Sequence, residues 1–281
     1  MRRSAVVDAL QGFVGSEDLA KALKGVDIIG RIAVIKLPKE WLGMRHQIGE
    51  KILSRLDVDS VYMQTYPARP GDRVRGVEWL AGKQCTKTIH SESGCRFKVD
   101  IAKVYFSPRL SFERLRIRGL VREGETVVNM FAGVGTFSII IAKNSPETRV
   151  FSIDNNPYAF ELMLENIVIN RVNGRVVPIL ADAREATSNL GRIADRVLMP
   201  LPELAEEYLG DSIGLLRGAG WVHTYIHESG CGEKEAVEKA RERILRKARE
   251  FGEIEAVCGK VVRSVGKRNF QVVLDLKVRP N

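Results

Sequence analysis

Two glycines and two aspartates stand where they could bind a nucleoside together. Gly133 and Gly135 follow an apolar run, and the missing Cβ lets the backbone approach a ligand closely. Asp154 ends the next apolar run, roughly 20 residues later, a spacing typical of a carboxylate that binds ribose hydroxyls. Asp182 ends a third run and could accept from an adenine amino group. Each aspartate alone is better explained as a helix N-cap or loop residue, so it is their order along the chain that favours a nucleoside site.

These residues need a sheet that brings its strand ends to one edge. From residue 125 onward, apolar strand patterns alternate with helical ones, which predicts an α/β fold with an open, mostly parallel, doubly wound sheet. The predicted strands are 126–131, 149–154, 175–181, 196–200 and 220–227, and the predicted helices are 137–143, 157–170, 203–216 and 233–251. Two further strands, 253–262 and 270–278, predict a closing antiparallel hairpin. Ser138 stands where a dinucleotide fingerprint has its third glycine, which argues against NAD and a dehydrogenase.

The residues before this region predict a smaller α+β domain. Its predicted elements are a helical lead-in at 1–25, strands at 28–37, 61–65, 76–79, 85–90 and 97–104, and a helix at 41–56. Pro108 interrupts regular structure, and Ser111 is expected to cap a helix that runs to about residue 119. The sequence therefore predicts two domains, 1–107 and 108–281.

The chain is strongly basic, with a formal net charge of +9. An excess of this size suits a polyanionic partner, because each phosphate neutralised by a basic side chain releases a counterion. Neither a signal-peptide core nor an apolar run of bilayer length is present, so we expect a soluble, intracellular protein.

The four cysteines do not predict a metal site, because none forms a C-x-x-C pair. Cys85 and Cys95 flank a predicted hairpin centred on residues 91–94. That register pairs His90 with Cys95 and places Cys85 opposite Asp100, so no disulfide is expected there.

Three stretches carry a family resemblance. They are Val99-Asp-Ile-Ala-Lys-Val-Tyr-Phe-Ser-Pro-Arg-Leu-Ser-Phe-Glu-Arg114, Met130-Phe-Ala-Gly-Val-Gly135 and Asp154-x-Asn-Pro-Tyr158. Residues 28–278 resemble archaeal tRNA (guanine-N1)-methyltransferases, which modify the purine just 3′ of the anticodon and are related to the wyosine-biosynthesis transferases. The resemblance implies a Rossmann-like class I methyltransferase domain after a smaller RNA-facing domain. It also implies S-adenosyl-L-methionine (AdoMet) as donor and the tRNA anticodon stem-loop as partner, with no obligate protein partner. We separately expect a cytoplasmic protein that is a monomer.

The resemblance also assigns cofactor contacts. Phe131 and Gly133 would lie near the methionine part, Asp154 would hold the ribose, and Asp182 would lie near the adenine. The full implied set is Tyr105, Phe131, Gly133, Gly135, Asp154, Asn155 and Asp182.

Methylation of guanine N1 requires removal of the N1 proton, and a carboxylate can act as the general base. The resemblance assigns this role to Glu113, although from the residues alone a surface ion pair with Arg114 or Arg116 explains it better. A cation aimed at O6 would stabilise the negative charge that moves there. The family places such an arginine at Arg73, with Arg75 close by.

Other expected substrate contacts are Arg109, which could bind phosphate or cap the junction, and the segment Pro200-Leu-Pro202. The family has Asn-Leu-Pro in that segment, and Pro200 cannot donate a hydrogen bond as the asparagine can. Asn129 likewise replaces the aspartate that is usual before the glycine loop. The separate N-terminal recognition domain of longer members is not expected here.

We therefore predict a methyl transfer from AdoMet to N1 of guanosine 37 of tRNA. Three alternatives stay open: aminocarboxypropyl transfer to a wyosine precursor at the same position, methylation of a wyosine intermediate, and a non-catalytic tRNA-binding protein.

Overall fold

A computed structural model describes residues 26–65 and 74–281. The chain divides into two compact units, Met1–Arg109 and Leu110–Asn281, two residues beyond the predicted boundary. The lead-in expected at 1–25 and the predicted catalytic Arg73 lie outside the described residues.

The first unit contains a four-stranded sheet and a separate hairpin. The sheet has the order β1 (Asp27–Ile29), β2 (Ile32–Ile35), β3 (Ser60–Gln64) and β4 (Val77–Gly82), and the hairpin comprises β5 (Lys87–Glu92) and β6 (Cys95–Asp100). A 3-10 helix, Lys39–Met44, leads into α1 (Arg45–Arg55). Ile48 and Ile52 of α1 join Val61 and Leu80 of the sheet in one apolar core.

Two sequence predictions in this unit are wrong. The strand predicted at 28–37 is a hairpin, because the chain turns between Ile29 and Ile32 and β1 pairs antiparallel with β2. The predicted register of the second hairpin also fails. Ser93 and Gly94 both adopt positive φ, which makes a two-residue turn rather than a four-residue one. His90 therefore faces Phe97, and Cys95 faces Glu92.

The second unit is the predicted mostly parallel sheet. Its strands are β7 (Thr126–Asn129), β8 (Arg149–Asp154), β9 (Val176–Leu180), β10 (Ala194–Met199), β11 (Leu216–Ser229), β12 (Gly252–Gly266) and β13 (Asn269–Pro280). They lie in the order β12-β13-β11-β10-β7-β8-β9. All neighbours from β9 to β11 are parallel, and β13 pairs antiparallel with both β11 and β12, which confirms the closing hairpin.

Helices connect the strands of this sheet. They are α2 (Ser111–Leu120), α3 (Thr136–Asn144), α4 (Pro157–Asn170), α5 (Ala183–Leu190), α6 (Leu209–Gly214) and α7 (Glu233–Ala248). Helix α5 was not expected, and the helix predicted at 203–216 shortens to α6. Ser111 is the first residue of α2 and not its cap, because Leu110 occupies that position without a side-chain hydrogen bond.

Gly135 begins α3 in a conformation that a side chain would strain. Its φ is +85°, and a Cβ there would lie 3.0 Å from Ile139 Cδ1 and 3.1 Å from Met163 Cγ. We expect Gly135→Ala to lower the free energy of unfolding by about 2–4 kcal/mol, of which about 1–2 comes from the left-handed backbone and the rest from crowding. Urea unfolding measures this loss.

Gly174→Ala is the matched control for that substitution. Gly174 has φ +77°, but a Cβ there meets no atom within 4 Å. It should lose only the backbone contribution, so equal losses in the two variants would contradict the crowding at Gly135.

Candidate active site

The candidate site lies where the strand order of the second unit reverses. The chain runs outward from β7 through β8 to β9, then returns to β10 on the other side of β7. Ligands of open α/β sheets bind in the crevice at the carboxyl ends of the strands at such a switch point. The glycine loop, Asp154, Asp182 and Pro200 follow β7, β8, β9 and β10 in turn, so the structure brings them to one edge.

The glycine loop and Asp154 are joined directly. The Gly133 N–H donates to Asp154 Oδ2 at 2.6 Å, and the Asn156 N–H donates to Oδ1 at 3.0 Å. Burial raises the pKa of Asp154, against the lowering effect of these two bonds. A carboxylate has about four acceptor positions, so two remain for hydroxyl donors.

Asn129 and Ser138, which both depart from the familiar patterns near the loop, are bonded to each other. Asn129 is fully buried at the end of β7, and its Nδ2 donates to Ser138 Oγ at 3.1 Å. Ser138 is the residue that stands in place of the third glycine. This pair ties β7 to α3, where the dinucleotide fingerprint relies on close packing against a glycine.

The predicted adenine side carries an aromatic residue that sequence reasoning missed. Tyr208 packs edge-on against Phe131, with ring centroids 5.5 Å apart, and its hydroxyl donates to Asp182 Oδ2 at 3.3 Å. Asp182 is also the N-cap of α5, where it accepts from the Arg184 N–H. The structural role expected of an isolated aspartate is therefore present as well. Asn155 is exposed at the same edge.

Glu113 is buried in the second unit, with only 3% of its side chain exposed. The Tyr225 hydroxyl donates to Oε1 at 2.7 Å, and Arg116, one turn along α2, donates to both carboxylate oxygens at 2.7 to 3.1 Å. Lys260 Nζ lies 3.3 Å from Oε2 and is the one half-exposed partner among these three. Burial, and then the charge of Glu113, raise the pKa of Tyr225 far above its usual value, so the phenol stays a donor. The expected surface ion pair is therefore a buried one.

Tyr225 places Glu113 at the same sheet edge as the glycine loop. Thr224 pairs with Met199 across β10 and β11, so Tyr225 is level with Pro200. The Tyr225 ring also lies 6.3 Å from the ring of Phe137, in the first turn of α3. The predicted base and the predicted cofactor loop thus converge within one unit.

A line of buried polar groups continues from Glu113 beneath α2. Arg116 also binds Asp275 on β13, which accepts from His223 on β11. Arg196 on β10 donates to His223 Nε2 at 2.6 Å and binds the carboxylate of Glu125. One feature of the sequence could have indicated this line of groups: His223 and Asp275 are polar residues within apolar strand patterns.

The arginines predicted to contact substrate from the first unit already have a carboxylate partner. Arg75 and Arg109 both bind Asp27, at 3.1 and 2.6 Å, and Asp27 is buried. The guanidinium of Arg75 also lies 5.7 Å from the ring centre of Tyr105. These contacts join Arg75, Tyr105 and Arg109 within one unit, whereas Pro200 and the buried Pro202 belong to the other.

Residues 26–65 and 74–281 contain neither a metal-binding cluster nor a membrane-spanning helix. No cluster of three or more His, Cys, Asp or Glu side chains there could hold a metal ion. Among the same residues, no helix has both the length and the apolar composition needed to cross a lipid bilayer.

Comparison with known proteins identifies the family. Residues 88–257 match the TRM5/TYW2 methyltransferase domain, and residues 6–86 match the TYW2 N-terminal domain. The tRNA (guanine(37)-N(1))-methyltransferase Trm5b of Pyrococcus abyssi is 41% identical over 90% of this chain and 74% of its own length. The tRNA 4-demethylwyosine(37)-methyltransferase Taw21 of Saccharolobus solfataricus is 32% identical over 93% of this chain and 96% of its own.

The fold agrees with these relationships. The crystal structure of Trm5b from Pyrococcus abyssi matches with a TM-score of 0.81 and 38% identity, covering 95% of this chain and 78% of that one. Because the matched domain spans more than half of the sequence and carries the glycine loop and Asp154, the chain belongs to the TRM5/TYW2 methyltransferase family.

Proposed function

We propose that this protein transfers a methyl group from AdoMet to N1 of guanosine 37 of tRNA. The observation that carries the proposal is the position of Glu113. Its carboxylate lies at the carboxyl edge of the sheet, joined through Tyr225 and Phe137 to the helix that follows the glycine loop. The Trm5b relatives support the choice of guanosine, and the net charge of +9 suits an RNA substrate.

The residues present fit AdoMet. Asp154 is an acceptor-only group with unused positions, which suits the two hydroxyls of a ribose. Phe131 and Tyr208 supply apolar surface beside Asp182, as an adenine requires. When bound, AdoMet supplies an activated methyl group as the electrophile.

The chain's own residues then handle the proton. The N1 proton would pass to a carboxylate oxygen of Glu113, and the N1 electron pair that it leaves would form the bond to the methyl carbon. The bond from that carbon to the AdoMet sulfur would break, and the sulfur would keep its electron pair. Oε2 is on the more exposed side of the carboxylate, since its partner Lys260 is half exposed whereas Tyr225 at Oε1 is buried. By family resemblance, Arg73 would stabilise the charge on O6.

Removing the ribose acceptor should weaken cofactor binding. We expect Asp154→Asn to reduce AdoMet affinity about 10- to 100-fold, because hydrogen bonds to a charged group contribute about 1.5–3 kcal/mol each. Isothermal titration calorimetry measures this. Asp182→Asn is the comparison, and its effect should be smaller because Asp182 is exposed and already caps α5. Unchanged affinity in Asp154→Asn would remove Asp154 from the cofactor site.

A wyosine-pathway substrate is the second candidate, favoured by two observations. Residues 6–86 match the TYW2 N-terminal domain, and the Taw21 relative is 32% identical over 93% of this chain. By family resemblance, Pro200 stands where an asparagine lies near the target base, and a larger tricyclic base would need different contacts at that position.

One experiment separates these candidates. Purified protein and AdoMet are incubated with two tRNAs, an unmodified transcript carrying guanosine 37 and a tRNA carrying 4-demethylwyosine, and digested nucleosides are identified by mass spectrometry. N1-methylguanosine supports the proposal. A methylated wyosine intermediate or an aminocarboxypropyl adduct, without N1-methylguanosine, would support the wyosine-pathway function instead. Binding of both tRNAs without any product would support a non-catalytic role.

A further inference from the structure

Arg116 binds two carboxylates at once. Its Nε and Nη2 contact Glu113 at 2.7 to 3.1 Å, while Nη1 contacts Asp275 Oδ2 at 2.5 Å and Nη2 contacts Oδ1 at 3.1 Å. Asp275 is on β13, 159 residues further along the chain. The planar guanidinium is therefore fixed in its own plane by a group outside the helix that carries Glu113.

His223 holds Asp275 from the opposite side. An arginine can only donate, so His223 Nε2 accepts from Arg196, and Nδ1 carries the proton that it donates to Asp275 at 2.5 Å. Burial lowers the pKa of His223, which keeps the ring neutral. Burial alone would raise the pKa of Asp275, but the bonds from His223 and Arg116 hold it well below its ordinary value.

Stability alone is a weak explanation for this arrangement. Three carboxylates, Glu113, Glu125 and Asp275, face three cations, Arg116, Arg196 and Lys260. Glu113, Asp275 and Arg196 are buried, Glu125 and Arg116 are partly buried, and Lys260 is about half exposed. Well-packed apolar residues of similar volume are often as stable as buried ion pairs, or more stable. The charges balance, and each guanidinium of the line is held by more than one partner.

We propose that Asp275 is a positioning residue for Glu113, acting by dividing the guanidinium of Arg116 between two carboxylates. The inference rests on the proposed function, in which Glu113 is the general base. With Asp275 in place, Arg116 cannot turn to give all its donors to Glu113. The carboxylate keeps one orientation, with Oε1 on Tyr225 and Oε2 toward the half-exposed side. Proton transfer needs that orientation, since a base must lie within hydrogen-bond reach of the proton it removes.

Asp275→Asn tests the proposal in steady-state methylation of tRNA. We expect kcat to fall about 10- to 100-fold, the range that a misplacement of about 1 Å can cause. The KM for tRNA and the affinity for AdoMet should change by less than about threefold, because Asp275 contacts neither proposed binding region.

Asp195→Asn is the matched control. Asp195 also pairs with an arginine, Arg217 at 2.7 Å, and accepts from the Thr126 N–H, but it lies at the amino end of β10, away from Glu113. Both variants are assayed well below their melting temperatures, and unchanged kcat in Asp195→Asn shows that breaking a carboxylate–arginine pair elsewhere in the sheet does not slow methylation. Equal falls of kcat in both variants would overturn the positioning role.

Arg116→Lys decides the matter if Asp275→Asn does not fold. An ammonium can pair with Glu113 but cannot bridge both carboxylates in a planar fork, so kcat should again fall with binding intact. If Asp275→Asn and Arg116→Lys fold and keep the wild-type kcat while Glu113→Gln is inactive, the positioning role of Asp275 is wrong. Glu113 would then remain the general base. An active Glu113→Gln would instead remove the base assignment itself.

Discussion

Glu113→Gln is expected to reduce kcat for N1 methylation by at least about 100-fold, because general-base catalysis typically contributes 10²- to 10⁴-fold. Glutamine has the same length and can still accept from the Tyr225 hydroxyl, but it cannot take the N1 proton. AdoMet affinity should be nearly unchanged, since Asp154 and the glycine loop are untouched. Single-turnover methylation of a guanosine-37 transcript measures the chemical step directly.

This variant also loses a charge that faces Arg116 and Lys260, so its stability must be followed in parallel. Activity is therefore compared well below the melting temperature, with Asp195→Asn as a control that breaks a carboxylate–arginine pair elsewhere. Retention of more than about a tenth of the wild-type rate would mean that Glu113 is a structural anchor and that another group, or solvent, removes the proton.

Arg196→Met should cause a large loss of stability in the second unit. Its side chain is 2% exposed and donates to Glu125, His223 and the carbonyl of Leu120, the last residue of α2. Removing one partner of a buried ion pair typically costs about 3–5 kcal/mol, because the other charge stays buried. A loss of this size corresponds to a melting temperature lower by roughly 6–20 °C.

Arg217→Met provides the contrast, because Arg217 is paired with Asp195 but is 56% exposed. Exposed pairs contribute about 0–1 kcal/mol, so its melting temperature should move little. Chemical denaturation of both variants gives the difference in the free energy of unfolding. Similar small losses in the two would show that water reaches Glu125 and His223 and satisfies them when Arg196 is gone.

Local patterns in the sequence were sufficient to predict which residues meet at the edge of the sheet proposed to bind the cofactor. The glycine loop, Asp154 and Asp182 each follow an apolar run, and parallel strands bring their carboxyl ends together, so their convergence follows from periodicity. The same reasoning found the closing hairpin β12–β13. It erred where the backbone depends on one or two residues, as at the Ser93-Gly94 turn, whose positive φ values shift the register.

The surroundings of Glu113 could not be predicted in this way. Arg116 is one helical turn away, but Tyr225 and Asp275 come from strands more than 100 residues later. Which strand lies beneath α2 depends on the order of the whole sheet, and no local pattern encodes that order. Sequence periodicity therefore suggested a surface pair where tertiary structure makes a buried one.

The position of β13 has a consequence for how the protein is made. β13 follows β12 in the sequence, yet it lies between β11 and β12 and pairs with both. During synthesis, β11 emerges before β13, so the sheet cannot be completed until β13 has been made. Asp275 is on β13, so Arg116 gains its second carboxylate only when that strand takes its place between β11 and β12.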